Sequence, residues 1–187
     1  MTSDVNPCQA FFEQHAQTEN KAKELIKTGK AIEWEALSAA SQSPHPVKDE
    51  EQVLRLVFSP FHIHQEDGSL KPSLFSDVKS RGGSVQRLDY ARRDTVIETG
   101  RAIAEGKNST AGGVAQTRGV FGTVNLPVEG VRKVFVSTTD RAFGVFDTAK
   151  QTDPSHADIF QIVPEGQGAR SARIQLTILA SEGFERA

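Results

Sequence analysis

The chain has 187 residues, of which 25% are charged and 37% are apolar, and its formal net charge at pH 7 is −2. This length suffices for one domain with a sizeable core, and the composition argues against a wholly disordered chain. The near-neutral charge excludes an overall attraction to nucleic acid or to an acidic membrane.

Cys8 is the only cysteine, which excludes an intramolecular disulfide and a zinc site built from several cysteines. The first residues, MTSDVNPCQAFF, carry an acidic residue where a secretion signal needs positive charge. No apolar run approaches the roughly 20 residues that a membrane-spanning helix needs. We therefore expect a soluble, cytoplasmic protein with no membrane contact.

Asn6 and Pro7 predict the start of a helix, because Asn accepts hydrogen bonds from free backbone N–H groups and Pro fits the first helical position. Apolar residues then recur at helical spacing to about Lys27, and Gly29 favours an end there. A second short helix is predicted over residues 30–40.

Residues 41–48, SQSPHPVK, contain two prolines in a polar setting and are the best candidate for a linker. The sequence therefore predicts a helical N-terminal extension and linker over residues 1–48. A compact domain is expected over residues 49–187.

The middle of the chain alternates between short strand-like and helix-like runs. Residues 51–58 suit a buried strand or the end of a helix, which periodicity cannot distinguish. A short helix is predicted over residues 73–79, and a new element begins at 85–88. Residues 90–105 have apolar side chains at helical spacing, and Gly106 is a plausible end for that helix.

The second half is rich in Val, Phe, Thr and Ile, which favours short strands over residues 113–124, 132–137, 142–148 and 157–163. Residues 169–180 suit either a helix or a strand, and we favour a helix. The sequence thus predicts an α+β fold: two N-terminal helices followed by a mainly antiparallel sheet with helices packed on one face.

His62 and His64 are separated by one residue, so an extended backbone would direct both imidazoles to the same side. Together with Asp67 or His156 they could hold zinc or manganese and leave a position open for water. Such a metal would activate the water for hydrolysis. The alternative is that both histidines are simply exposed ahead of a turn.

His156 lies between Asp153 and Asp158, just before a predicted strand. A carboxylate bonded to one ring nitrogen would orient the other nitrogen as a general base. His156 and Asp158 are therefore candidate catalytic residues. In the alternative interpretation, the histidine binds backbone groups and the acids stabilise a turn.

Residues 79–141 carry eleven Lys and Arg against six Asp and Glu, whereas the rest of the chain is acidic. Guanidinium groups suit phosphate oxygens, so this central region could contact a partner protein, RNA or DNA. The alternative is a set of ordinary solvated side chains. The candidate contact residues are Arg87, Arg92, Arg93, Arg101, Arg118, Arg132 and Lys133.

Several short segments resemble a loosely defined group of uncharacterised bacterial proteins of about this length. They are the residues LFSD at 74–77, SV at 84–85, GVA at 113–115 and PSHADI at 154–159. The resemblance covers roughly residues 53–180. It implies a bacterial or phage origin and a compact α+β domain, and it implies no activity.

No complete catalytic set is evident in the sequence. The first expectation is therefore a non-catalytic accessory protein of a bacterial multicomponent system, such as a defence system, that binds a partner protein or nucleic acid through the basic central region. The alternative is a small metal-dependent hydrolase that uses His62, His64 and His156.

Overall fold

The computed structural model describes residues 6–110 and 117–187, which form one antiparallel sheet with helices on both faces. The strands are β1 (Gln52–Ser59), β2 (Gly83–Arg87), β3 (Gly119–Pro127), β4 (Phe143–Phe146), β5 (His156–Gln161) and β6 (Phe184–Arg186). Across the sheet their order is β4-β5-β2-β1-β3-β6. The predicted α+β class with a mainly antiparallel sheet is confirmed.

The helices are α1 (Pro7–Gln14), α2 (Lys21–Thr28), α3 (Ala31–Trp34), α4 (Arg93–Thr110), α5 (Val128–Arg132) and α6 (Gln167–Glu182). A short 3-10 helix, Pro72–Phe75, follows β1. Among the described residues, no helix has both the length and the apolar character needed to cross a membrane.

The N-terminal helix starts as predicted, because the Asn6 side chain accepts hydrogen bonds from the backbone N–H groups of Cys8 and Gln9. One continuous helix to Lys27 was wrong, since α1 ends at Gln14 and α2 begins at Lys21. Gly29 ends α2 in the left-handed conformation, with φ of 65°.

The second half contains both confirmed and wrong predictions. The helix favoured over residues 169–180 is confirmed as α6, whereas residues 132–137 form no strand, and Arg132 is the last residue of the short helix α5. Strand β6 was not predicted, because three residues give no readable pattern. The predicted strand 113–124 and the GVA segment at 113–115 extend into residues that lie outside the described ones.

One face of the sheet carries the larger apolar core. Residues at alternate positions of the strands, such as Val53, Val85 and Ile159, pack there with Leu74 of the 3-10 helix and Leu176 of α6. Each of these side chains is at most 1% exposed. This face is therefore closed to solvent.

The opposite face is covered in two separate parts. Over β4 and β5, the Phe12 ring of α1 lies 5.3 Å from the Phe146 ring and 5.6 Å from the Phe160 ring. Over β1 and β3, Gly100 of α4 packs against the side chain of Leu56. The centre of this face, along β2, lies between the two covered parts.

Helices α1–α3 thus share a second apolar cluster with β4 and β5. The backbone N–H of Ala39 also donates a hydrogen bond of 2.6 Å to the buried carboxylate of Asp147. The division of the chain at residue 48 into an extension and a domain stays a prediction.

Strands β1 and β2 pair over only two positions, Val53 with Arg87 and Leu54 with Gln86, and then part. Beyond that point the Arg55 side chain spans the gap, and its Nη1 donates to the Ser84 carbonyl at 3.0 Å. The parted strands and the uncovered sheet face together open a cleft at β2.

Candidate functional site

The cleft has a volume of about 760 Å³, and Ser84, Gln86 and His156 of β2 and β5 line its floor, with Asp158 beside them on the same two strands. Ser84 lies directly opposite Asp158 across the two strands, and Gln86 lies opposite His156. Because side chains alternate between faces along a strand, all four share the uncovered face. We call Ser84, Gln86, His156 and Asp158 the polar quartet.

His156 is 5% exposed, and both of its ring nitrogens have polar neighbours. Its Nδ1 lies 3.0 Å from the Thr148 carbonyl oxygen, which can only accept, so Nδ1 carries the proton. In the neutral ring Nε2 is then an acceptor. It lies 3.3 Å from Ser84 Oγ and 3.5 Å from Lys150 Nζ.

The Thr148 hydroxyl connects His156 to Asp158. Its oxygen lies 3.0 Å from His156 Nδ1, and the hydroxyl donates to Asp158 Oδ2 at 2.7 Å. The other carboxylate oxygen of Asp158 accepts from Ser84 Oγ at 3.1 Å. Asp158 therefore orients both the histidine, through Thr148, and the serine.

A neighbouring carboxylate holds the fourth member of the quartet. Asp153 accepts hydrogen bonds from the Gln86 amide at 2.9 Å and from the Ser155 hydroxyl at 2.7 Å. Burial raises the pKa of Asp153, but these two hydrogen bonds outweigh it and keep the pKa below its ordinary value. Gln86 thus has a fixed position on the cleft floor.

Helix α4 supplies one wall of the cleft through Thr95, Thr99 and Ile103. His62, on the loop after β1, contributes to the lining, and its Nδ1 accepts from the Phe58 backbone N–H at 3.1 Å. Burial, together with the positive charges of Arg55 and Arg118, lowers the pKa of His62 to about 4. His62 is therefore neutral near pH 7.

Arg118 brings a positive charge to the cleft. Its guanidinium carbon lies 4.8 Å from the centre of the Phe61 ring and 5.3 Å from the centre of the Phe58 ring. Stacking on two aromatic rings holds the guanidinium in place without neutralising its charge.

The structure brings together the two predicted catalytic residues, His156 and Asp158, with 3.9 Å between His156 Nδ1 and Asp158 Oδ2. Sequence reasoning missed Ser84, Gln86 and Thr148. The alternation of Ser84, Val85 and Gln86 does predict one polar strand face. It does not show which other strand pairs with this one and adds its own side chains to that face.

Of the predicted metal ligands His62, His64 and Asp67, His62 alone lines the cleft. His62 lines the cleft with its Nδ1 engaged, whereas His64 is exposed and Asp67 accepts a hydrogen bond from the Ser69 N–H within its own turn. In the described ranges, no three His, Cys, Asp or Glu side chains are grouped so as to hold a metal ion.

The predicted basic residues do not meet on one surface. Arg87 is fully buried, and its Nε and Nη2 each donate to Glu51 at 2.7 Å, so an external partner cannot reach it. Its assignment to a binding surface was therefore wrong. Arg118 lines the cleft, and Arg92 and Arg101 are exposed.

The three remaining basic residues form ion pairs within the chain. Arg132 binds Glu35 at 2.8 Å and also contacts Asp49. Lys133 pairs with Glu129 at 2.5 Å, and Arg93 lies 3.3 Å from Glu185. Much of the positive charge counted in the sequence is thus already compensated.

Comparisons with known proteins give no further assignment. A scan of protein-family models, a search of curated proteins and a search of solved structures each returned no match. The functional argument therefore depends on the geometry of the cleft.

Proposed function

We propose that the protein is an enzyme that binds a small organic molecule in the cleft and uses His156 as a general base. The observation that carries this proposal is the orientation of His156. Its Nδ1–H is directed at the Thr148 carbonyl, so the lone pair of Nε2 faces the cleft floor, with Ser84 Oγ at 3.3 Å and Lys150 Nζ at 3.5 Å.

The arrangement supports proton abstraction from a hydroxyl group. Nε2 would take the proton of a ligand hydroxyl or of a water molecule in the cleft, or that of Ser84 once its hydroxyl turns from Asp158 towards Nε2, and the ring would become positively charged. Thr148 and Asp158 would stabilise that charge from the opposite side of the ring. The volume of about 760 Å³ lies within the range of small-molecule sites.

The two functions suggested by the sequence have less support. An accessory role in a bacterial multicomponent system needs an accessible basic surface, but Arg87 is buried and Arg93, Arg132 and Lys133 are paired. A zinc or manganese hydrolase needs its three histidines together, and His64 does not line the cleft that His62 and His156 share.

Hydrolysis of p-nitrophenyl acetate and p-nitrophenyl phosphate tests the proposal. We expect the parent protein to release p-nitrophenol from at least one of them, and the His156→Gln variant to lose about 100-fold or more of that rate. His64→Gln is the matched control, because it removes an exposed histidine outside the cleft. Equal rates in the parent and the His156→Gln variant would overturn the proposal.

A further inference from the structure

A second depression of about 490 Å³ adjoins the cleft. Ser84, Lys150 and His156 line both spaces, so the two meet at the polar quartet. Lys21 of α2 and Arg81 of the turn before β2 line the far side of the second depression. Three positively charged side chains, Lys21, Arg81 and Lys150, and two carboxylates, Glu13 and Asp158, thus line a space that reaches His156.

Lys21 is the best placed of these cations to hold an anion. It is half-buried, and its Nζ lies 5.9 Å from the centre of the Phe12 ring. Burial lowers the pKa of Lys21, the charge of Asp158 opposes this, and the charge of Lys150 lowers it further. Lys21 and Lys150 line the same depression, so their positive charges face one space.

Asp158 carries one negative charge against the two positive charges of Lys21 and Lys150. Its two carboxylate oxygens already accept hydrogen bonds from the hydroxyl groups of Ser84 and Thr148. Arg81, at the outer edge, forms an ion pair with Glu19. A bound anion would relieve the repulsion between the two lysines and accept charge-assisted hydrogen bonds from both.

We propose that the depression beside Lys21 and Lys150 binds the phosphate group of an organic ligand whose body lies in the cleft. The inference rests on the proposed function, because it names the class of molecule on which His156 acts. Lys150 Nζ lies 3.5 Å from His156 Nε2, so a phosphate bound by Lys150 would place its ester carbon next to the base. The ligand class is therefore a phosphate monoester of a small organic alcohol.

Calorimetric titration with phenyl phosphate tests the inference. We expect the double variant Lys21→Gln/Lys150→Gln to bind phenyl phosphate at least about tenfold more weakly than the parent protein. Lys133→Gln is the matched control, because it removes an exposed lysine that pairs with Glu129 outside the depression. Equal affinity in the parent and the double variant would overturn the phosphate site.

Two further binding measurements distinguish a failure of this inference from a failure of the proposed function. Thr99→Trp fills the cleft from α4 and leaves the depression unchanged, and inorganic phosphate is the probe for the depression alone. If the double variant binds inorganic phosphate more weakly than the parent protein, while Thr99→Trp binds phenyl phosphate as tightly as the parent does, the phosphate site stands and the cleft proposal fails. If phenol binds in the cleft and the double variant binds phenyl phosphate as tightly as the parent protein does, the cleft proposal stands and the phosphate site fails.

Discussion

At the scale of single residues, His62 has a side chain that the folded structure keeps neutral near pH 7. Its Nδ1 accepts a hydrogen bond from the Phe58 N–H, which a protonated ring could not do. The pKa of His62 falls from 6.5 in the unfolded chain to about 4 in the folded protein. Between these two pH values, His62 therefore binds a proton more readily in the unfolded chain than in the folded protein. Stability therefore decreases as the pH falls from 6.5 towards 4.

Replacement of His62 by Asn should remove this pH dependence, because the amide oxygen can accept from the same N–H and does not titrate. Between pH 7 and pH 4 we expect the parent protein to lose about 2 kcal/mol more unfolding free energy than His62→Asn does, allowing for partial exposure of the ring. Urea unfolding at several pH values measures the difference. Parallel pH profiles for the two proteins would count against a half-buried His62 that stays neutral.

At the scale of secondary-structure elements, Arg55 holds the parted strands β1 and β2 in place. Its Nε and Nη2 donate to the Leu74 carbonyl, its Nη1 donates to the Ser84 carbonyl, and its Nη2 also contacts Asp77. Arg55 is 5% exposed, and its bonds to the Leu74 carbonyl are buried. A Cβ at Gly83 would lie 2.7 Å from Val78 Cγ1 and 3.0 Å from Arg55 Nη1, which explains the glycine.

Arg55→Met should therefore be far more destabilising than Asp77→Asn. The first change removes the donors of Arg55 from the buried Leu74 carbonyl and the partly buried Ser84 carbonyl, and should cost about 3 kcal/mol. The second weakens a pair whose acidic side chain is 42% exposed and should cost less than about 1 kcal/mol. Urea unfolding measures both, and similar losses in the two variants would show that Arg55 does not hold the strands.

The elements also show where sequence reasoning ends. His156 and Asp158, two residues apart, could be selected from the sequence as neighbours, and they lie 3.9 Å apart in the structure, whereas their catalytic role stays a prediction. Ser84 and Thr148 were not predictable, because their contact with that pair depends on strand pairing that no local pattern encodes. Arg87 was assigned to the surface because its pairing with the distant Glu51 is equally invisible in sequence.

At the scale of the whole molecule, the cleft exists because the helices leave part of one sheet face uncovered. The periodicity of the chain predicted the α+β class and the long helix α6. It did not predict that α1–α3 would cover β4 and β5 while α4 covers β1 and β3. Such coverage depends on contacts between distant residues, and these determine where a site forms.

The central claim is that small organic molecules bind in this cleft, and ligand-observed NMR with a library of small phosphate-bearing and neutral aromatic compounds tests it most directly. Thr99→Trp obstructs the cleft, and Glu98→Trp places the same side chain on α4 outside the cleft lining. We predict binding signals in the parent protein and in Glu98→Trp that disappear in Thr99→Trp. Binding that persists unchanged in Thr99→Trp, or no binding by any compound to the parent protein, would contradict the claim.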